Sequence, residues 1–337
     1  MEVLITGGAG FVGANLAAHM LKAGYGVAIY DNLSRLSARK NVDSLKSAGA
    51  KFVKGEMTDA AALKRAAAGK DGIFHLAAQV AVTTSVLDPR SDFNINALGT
   101  FNVMEAAREN KTPVIYTSTN KVYGDNVNGV PLHEGEKSYD FSNELKGLGI
   151  PESFPIDANE HTPYGVSKLV GDLYVRDYAA IYGVPTVVNR MSCIYGTKQY
   201  GNEDQGWVAH FVISAALGRQ INIYGDGKQV RDVLFVSDLV RLFETELENI
   251  KKVSGHVFNI GGGPNNLMSL KELMAMLENR YGKIKTATYG WRPAYQKVYY
   301  SDIRKAGKLL GWKPLVSPQS GVSMLCDWVD ENKVTMA

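Results

Sequence analysis

Tyr164 and Lys168 stand four residues apart in Tyr-Gly-Val-Ser-Lys, a spacing that puts both side chains on one face of a helix. A phenol is a poor base at its ordinary pKa of about 10. An ammonium beside it favours the phenolate and draws that pKa towards neutral pH, where it can move a substrate proton. The same lysine can hydrogen-bond a nicotinamide ribose. Ser118 and Thr119 close an apolar run that begins at Pro113, and a hydroxyl there can donate to a substrate oxygen. The plain alternatives are an exposed helix pair for Tyr164 and Lys168 and a Ser/Thr turn for Thr119.

A site for a dinucleotide opens the chain. Val3–Ile5 is a short apolar run, and Gly7, Gly10 and Gly13 follow as G-x-x-G-x-x-G before a helix-compatible stretch, Ala14–Ala23. A strand, a glycine turn and a helix start leave backbone N–H groups and the positive end of a helix dipole facing one point. A pyrophosphate fits there, and a side chain on those glycines would hold it off. Gly26–Tyr30 is the next apolar run and ends in Asp31, about 20 residues on, where a carboxylate accepts from an adenosine ribose. A carboxylate repels a 2′-phosphate, so NAD is expected over NADP, although Arg35 and Arg39 lie nearby. Arg231 and Arg292 supply the fixed bidentate donors that a nucleoside diphosphate needs, with structural ion pairs as the alternative.

The elements that must position these groups alternate. Lys51–Gly55, Gly72–Leu76, Pro113–Ser118 and Val184–Asn189 read as further strands, and Ala60–Ala68, Asn96–Asn110 and Tyr164–Tyr182 as helices. That alternation predicts an α/β fold with a parallel sheet covered on both faces. Glu56 and Met57 follow the third strand, where an adenine could sit, and Ala77, Ala78 and Gln79 follow the fourth, at the edge where such sheets bind ligands. Beyond Arg190 the alternation weakens; Ile221–Tyr224, Gln229–Leu234 and Val257–Ile260 read as strands, Asp204–Leu217 and Leu270–Tyr281 as helical. We expect residues 1–188 to form a dinucleotide-binding domain, with 233–262 returning to it, and 189–232 and 263–337 to form a smaller substrate-binding α/β domain. Residues 124–162 show little periodicity, and a connection of that length is often functional; a lid or a partner-contacting excursion is expected.

With 337 residues, 45% hydrophobic and 21% charged, the chain can bury a large core, and its net charge of +3 gives no footprint for nucleic acid. Cys193 and Cys326 have neither metal-ligand spacing nor a disulfide framework. No basic-then-apolar leader precedes the first strand and no run reaches membrane length, so a cytoplasmic protein is expected, with neither metal nor membrane in its chemistry.

Taken together, the glycine loop, Thr119, Tyr164-x-x-x-Lys168, Gly225-x-Gly-x-Gln-x-Arg231-Asp and Arg292 resemble the extended short-chain dehydrogenase/reductase superfamily, in its nucleotide-sugar branch. Ser118–Gly124, Asp204–Trp207 and Gly227–Leu234 look most like the members that invert C2 of CDP-hexoses. The resemblance spans essentially the whole chain and implies a Rossmann-type doubly wound sheet and a tightly held NAD, reduced and reoxidised in each turnover. It implies that Tyr164 takes the proton of a sugar hydroxyl, that Thr119 holds the reacting oxygen and that Lys168 tunes Tyr164. By position, Phe11, Val12, Asn32, Ser34, Arg35, Glu56, Met57 and Leu76–Gln79 would line the cofactor, as would Thr117 and Met191, with Asn96 at the edge of the site. Thr84, Ser85, Asn120, Gln205, Ile223, Tyr224, Arg231, Arg292 and Tyr299 would face the nucleotide sugar. The helices around Asn96–Asn110 and Tyr164–Tyr182 imply a homodimer or a dimer of dimers.

Two positions narrow the chemistry. Dehydrating relatives carry Asp-Glu immediately after the active-site Thr, and decarboxylating ones a glutamate at the second of these positions; here they are Asn120 and Lys121. Relatives also carry Gly/Ser-Asp-Gln after the second arginine, where this chain reads Arg292-Pro-Ala-Tyr-Gln296. The readings left open are 2-epimerisation of a CDP-hexose, 4-epimerisation of a UDP- or other NDP-hexose, net dehydrogenation, and a non-catalytic dinucleotide sensor on the same fold.

Overall fold

Seven apolar runs, rich in Val, Ile and aromatic side chains, form one sheet whose two faces are both covered. In the computed structural model, which describes residues 1–157, 159–292 and 295–336, they are β1 (Glu2–Thr6), β2 (Gly26–Asp31), β3 (Lys51–Lys54), β4 (Gly72–His75), β5 (Val114–Thr119), β6 (Thr186–Met191) and β7 (His256–Ile260). All pairings are parallel, in the order β7-β6-β5-β4-β1-β2-β3. The order reverses between β1 and β4, so the loops leaving these two strands part and open a crevice at their C-terminal ends.

Strand alternation divides the interior. Val3, Ile5, Phe74, Ile115 and Val187 face one layer of helices, which includes Phe11–Lys22 and Val236–Glu248. Leu4, Ile73, Tyr116 and Val188 face the other, where Leu63, Val103, Met104 and Val175 meet them. The period of two along each strand therefore fixes which helix lies on which side.

Past β6 the chain leaves the sheet. Val230–Phe235 lies between Leu267–Ser269 and Val298–Tyr299, and its far end pairs with Cys193–Tyr195. Ile221–Tyr224 pairs with Thr286–Tyr289. The chain then goes back: the helix Val236–Glu248 and β7 rejoin the large sheet before the last 77 residues return to the second lobe.

Two stretches differ from expectation. Residues 124–162 do not stand off as a lid. Val127, Val130, Tyr139, Phe141 and Ile150 bury themselves against Val298, Tyr299 and Tyr300 in a third apolar cluster, and Leu132–Glu134 pairs with Tyr139–Phe141 as a hairpin. Their partner segment lies far along the chain, so no local period marks them; Ala158 lies outside the described residues. Asn96–Asn110 is not one helix from its start. Two short helices, Val82–Leu87 and Pro89–Phe93, lead into a wide π-turn, Asn94–Leu98, and only then into Gly99–Arg108.

Behind β6, Glu246 is fully buried. Asn189 donates to its Oε2 at 2.8 Å, while Oε1 has no partner. Burial pushes its carboxyl up to about 8. Because the folded value exceeds the free value of 4.5, the stability this group contributes is complete below 4.5 and falls as pH rises to about 8. Glu246→Gln removes that slope. Melting curves at about pH 5 and about pH 8.5 should show the variant gaining on the native protein at the higher pH; parallel shifts at both would refute a neutral buried Glu246.

Candidate active site

β1 runs into a turn that only glycine can make. Gly7 has φ +66°, and a Cβ on it would stand 2.8 Å from the Ala77 backbone; one on Gly13 would stand 2.2 Å from the Gly7 carbonyl oxygen. The helix that follows has Gly10 as its N-cap and no side chain over its first amides. Gly7, Gly10, Phe11, Val12 and Gly13 therefore form one wall of a cleft with donors left open to an anion. Asp31, at the end of β2, ties this wall to the next: its carboxylate accepts from Ala9 N at 3.1 Å and Leu33 N at 2.8 Å. Burial pushes its pKa up, and those two backbone donors hold it back.

Asn32, Ser34, Arg35, Glu56 and Met57 extend the cleft along β2 and β3. Asn32 donates to the Glu56 carboxylate at 2.9 Å, and the Tyr30 hydroxyl to the Glu56 carbonyl at 2.8 Å. On the other side of the crevice, Leu76, Ala77, Ala78 and Gln79 leave β4. His75 anchors that exit, with its ring nitrogens 2.8 Å from Thr6 Oγ1 and 3.0 Å from Thr100 Oγ1. Burial lowers its pKa to about 3, so it is neutral.

Asn96 stands behind this wall rather than in it. Its Oδ1 accepts from Gln79 N at 2.9 Å, and its Nδ2 lies 3.0 Å from Gln79 O, 3.1 Å from Asp92 Oδ1 and 3.1 Å from Ser167 Oγ. The π-turn is what lets one amide clamp the exit of β4 to the helix Pro163–Tyr182. That helix is capped by Thr162, whose hydroxyl accepts from Gly165 N. Ser85, also buried, accepts from Tyr164 N at 3.1 Å.

Thr117, Ser118 and Thr119 from β5, and Tyr164 and Lys168 from the helix, meet in the cleft. Burial pushes the Tyr164 phenol up to about 12, partly held back by a hydrogen bond with Thr119. Burial likewise lowers Lys168 to about 7, opposed by Asp92 and Asp172, and its Nζ lies 4.3 Å over the Tyr116 ring. Both groups lose water in the same place, and that loss outweighs what Thr119 and Arg35 offer the phenolate and what Asp92 and Asp172 offer the ammonium.

The second lobe closes the cleft with Met191, Ser192, Cys193, Gln199, Tyr200, Gln205 and Trp207. Three contacts stitch it to the dinucleotide lobe: Arg35 Nη1 donates to Gln205 Oε1 at 2.6 Å, Asn15 Nδ2 to Thr197 O at 2.9 Å, and Lys40 lies 4.8 Å over Tyr200. Sequence reasoning assigned no contact to Tyr30, Ser192, Cys193, Gln199 or Tyr200. They sit at strand ends and in a loop without a motif, and only the Trp207 indole, donating to Cys193 Sγ at 3.1 Å, belonged to a stretch already noted.

The remaining expected substrate residues do not line this cleft. Thr84 is exposed on a short helix. Asn120 is buried against Gln296. Tyr299 is fully buried in the third cluster and presents no surface to a ligand. Arg292 lies 4.0 Å over Tyr224 and pairs with Glu203 at 3.4 Å and Asp204 at 3.6 Å. Ile223 and Tyr224 share a strand beside it. Arg231 donates to the carbonyls of Val230 and Gln296 and lies 5.3 Å over Tyr295, where the chain departs from its relatives. Pro293 and Ala294 of that departure lie outside the described residues.

Comparison with known proteins agrees with this geometry. The model of the NAD dependent epimerase/dehydratase family matches residues 3–261. The chain is 41% identical to CDP-paratose 2-epimerase of Salmonella typhi, over 97% of this chain and 99% of that one. Among solved structures, UDP-glucose 4-epimerase of Thermotoga maritima with UDP-glucose superposes with a TM-score of 0.84 at 28% identity, covering 99% and 100% of the two chains. UDP-glucuronic acid 4-epimerase of Bacillus cereus, in complex with UDP-glucuronic acid and NAD, gives 0.84 at 28%, covering 98% and 99%.

The glycine wall makes a direct prediction. Gly7→Ala forces a Cβ into the Ala77 backbone at a left-handed φ and should cost about 1–3 kcal/mol of stability. The purified variant should carry much less dinucleotide than the native protein when the released cofactor is quantified by chromatography. Full cofactor content would remove Gly7 from the site.

Proposed function

The chain belongs to the NAD-dependent epimerase/dehydratase family, and from that premise we propose that it inverts C2 of a CDP-hexose through a transient 2-keto sugar. The cradle at Gly7 and Gly13, which any Cβ would fill, and the carboxylate of Asp31 at the end of β2 fit NAD. When bound, NAD supplies the hydride acceptor and donor and a positive charge. Tyr164 takes the hydroxyl proton as the carbon is oxidised and returns it as the ketone is reduced from its other face. Thr119 donates to that oxygen. Lys168, whose ammonium the carboxylates of Asp92 and Asp172 support, carries the charge that changes with Tyr164.

The observation that carries the C2 reading is the 41% identity to a CDP-paratose 2-epimerase across 97% of the chain. Asn120 and Lys121 support inversion over elimination, because neither side chain is the carboxylic acid or carboxylate that loss of water requires. The likeness to UDP-sugar 4-epimerases favours one second reading, 4-epimerisation of a UDP-hexose, which uses the same three groups with the sugar turned. Residues 1–188, together with the helix Val236–Glu248 and β7, hold the cofactor; 189–232 and 263–337 hold the nucleotide sugar.

The protein works as a homodimer. Leu173, Tyr174 and Ile181 on the helix Pro163–Tyr182 are 43%, 42% and 68% exposed, and Leu87 and Phe93 beside it 85% and 52%; an apolar face of this kind is covered by a second copy. No helix is long and apolar enough to cross a membrane, among the described residues. A cytoplasmic setting suits the unpaired thiols of Cys193 and Cys326.

Purified protein with its cofactor, offered CDP-, UDP-, GDP- and dTDP-hexoses in heavy water and followed by NMR, should invert a CDP-hexose at C2 with no deuterium on that carbon. Deuterium there would mean enolisation and would end the hydride-return mechanism; turnover of UDP-glucose to UDP-galactose alone would select the 4-epimerase. Tyr164→Phe should keep its cofactor and lose about 10²–10⁴-fold in kcat.

A further inference from the structure

Among the described residues, two buried side-chain oxygens that have no hydrogen-bond partner line the cleft: Ser118 Oγ and Gln199 Oε1. Ser118 adjoins Thr119, in the wall already described. Gln199 comes from the second lobe and is 4% exposed. Its Nε2 donates to Ile194 O at 3.4 Å, which turns the carboxamide so that Oε1 is the end left over. A buried acceptor in this condition costs stability unless a donor from outside reaches it.

The backbone makes room for this carboxamide. Gly206 has φ +77°, and a Cβ on it would stand 2.7 Å from Gln199 Nε2. Lys198, the residue before Gln199, takes a φ of +65° that a side chain disfavours. The tip beyond is closed on itself: Asn202 and Gln205 exchange backbone hydrogen bonds at 3.0 and 3.1 Å, and Asn202 Oδ1 accepts from Asp204 N at 3.0 Å. An ordered loop with a glycine at each end, Gly196 and Gly206, suits movement as one piece.

The ties of this loop across the cleft land beside the cofactor wall. Asn15, on the helix that follows the glycines, donates to Thr197 O at 2.9 Å and accepts from Thr197 Oγ1 at 3.5 Å. Past β2, Lys40 lies 4.8 Å over the Tyr200 ring and Arg35 donates to Gln205 Oε1. From its own lobe, Arg292 holds Glu203 at 3.4 Å. The loop therefore spans the part of the cleft between the Gly7–Gly13 turn and the end of β2, where a diphosphate and an adenosine ribose belong. A diphosphate brings no donor. The donors a dinucleotide brings to that part are ribose hydroxyls.

We propose that Gln199 is a cofactor-binding residue supplied by the second lobe, accepting from a ribose hydroxyl of NAD, and that the loop 196–206 is a strap that must open before NAD can leave. The glycine turn and Asp31 hold the dinucleotide from one lobe and Gln199 from the other, while Asn15, Lys40 and Arg35 keep the strap down. Retention of the cofactor then comes from a latch between the lobes as well as from the glycine turn. This rests on NAD as the cofactor and holds whichever sugar carbon is inverted.

The test follows exchange of bound NAD and needs no sugar. Purified protein with its cofactor is placed in excess isotope-labelled NAD, and mass spectrometry of the protein-bound fraction gives the release rate. The chains compared are the native one, Gln199→Leu, the near-isosteric Gln199→Met, Asn15→Ala and Lys40→Met. Both Gln199 variants should speed release about 5–100-fold, the range that one buried hydrogen bond carries. Asn15 and Lys40 do not line the cleft, so their variants lose no contact with the cofactor. Each should still speed release more than about threefold, with hydrogen exchange rising in 196–206 while β1 and β6 stay protected. Unchanged release in the Gln199 variants overturns the contact. Unchanged release in Asn15→Ala and Lys40→Met overturns the strap, as does faster release with protection lost throughout the sheet, which would be general loosening. Native protein that carries no NAD overturns the cofactor reading itself, before any variant is made.

Discussion

Tyr164 and Lys168 share one wall of the cleft, and each is driven there towards its uncharged form by the same loss of water. Their spacing along the helix brings them together, but their surroundings set their protonation. The phenol leans on Thr119, and the lysine lies over the Tyr116 ring, its charge supported by Asp92 and Asp172. A site in this condition is poised: introducing positive charge changes the energy of the phenolate far more in a dry wall than it could at an exposed one. The rest of the structure serves to keep that wall dry and in register. Asn96 and Ser85 do so by pinning the helix Pro163–Tyr182 to the exit of β4 and to the short helix before it.

The reversal of strand order between β1 and β4 supplies the opening, and the glycines supply its depth. With a Cβ on Gly7 or Gly13 the first turn could not pass so close to Ala77 and to itself. The second lobe then determines how the opening is covered. Its loop from Gly196 to Gly206 crosses to the dinucleotide lobe and is held by Arg35, Asn15 and Lys40. Arg35 thus has two neighbours of different kind: Asp31, on the cofactor side, and Gln205, on the side of the second lobe. Its nearness to Asp31 explains why a basic residue at that position is compatible with NAD, since its charge is already engaged.

Much of this was legible in the sequence because the signals were local. The strand–glycine–helix start, Asp31 about 20 residues on, and Tyr164 with Lys168 one helical turn apart each depend on neighbours in the chain. The parallel sheet followed from alternation, and the strand limits agree to within two residues. What was not legible depended on distant partners. The stretch 124–162 buries its side chains against residues 298–300, so nothing in its own spacing marks it as core. The turn at Asn96 widens because of Gln79, Asp92 and Ser167. Tyr299 carries a polar group and follows a family position, yet it lies wholly inside. The pKa of Tyr164 could not be read from its spacing to Lys168, because spacing reports proximity and says nothing of solvent.

The route of the chain between the lobes bears on how the molecule is made. β7, which covers the outer side of β6, is not synthesised until residues 256–260. On the ribosome, the Thr186–Met191 edge is therefore bare while some 65 further residues emerge, at roughly 5–20 residues per second. An unpaired edge of that kind is a template for wrong strand partners. The nascent chain is at its most vulnerable in that interval of a few seconds, and chaperone capture should be concentrated there.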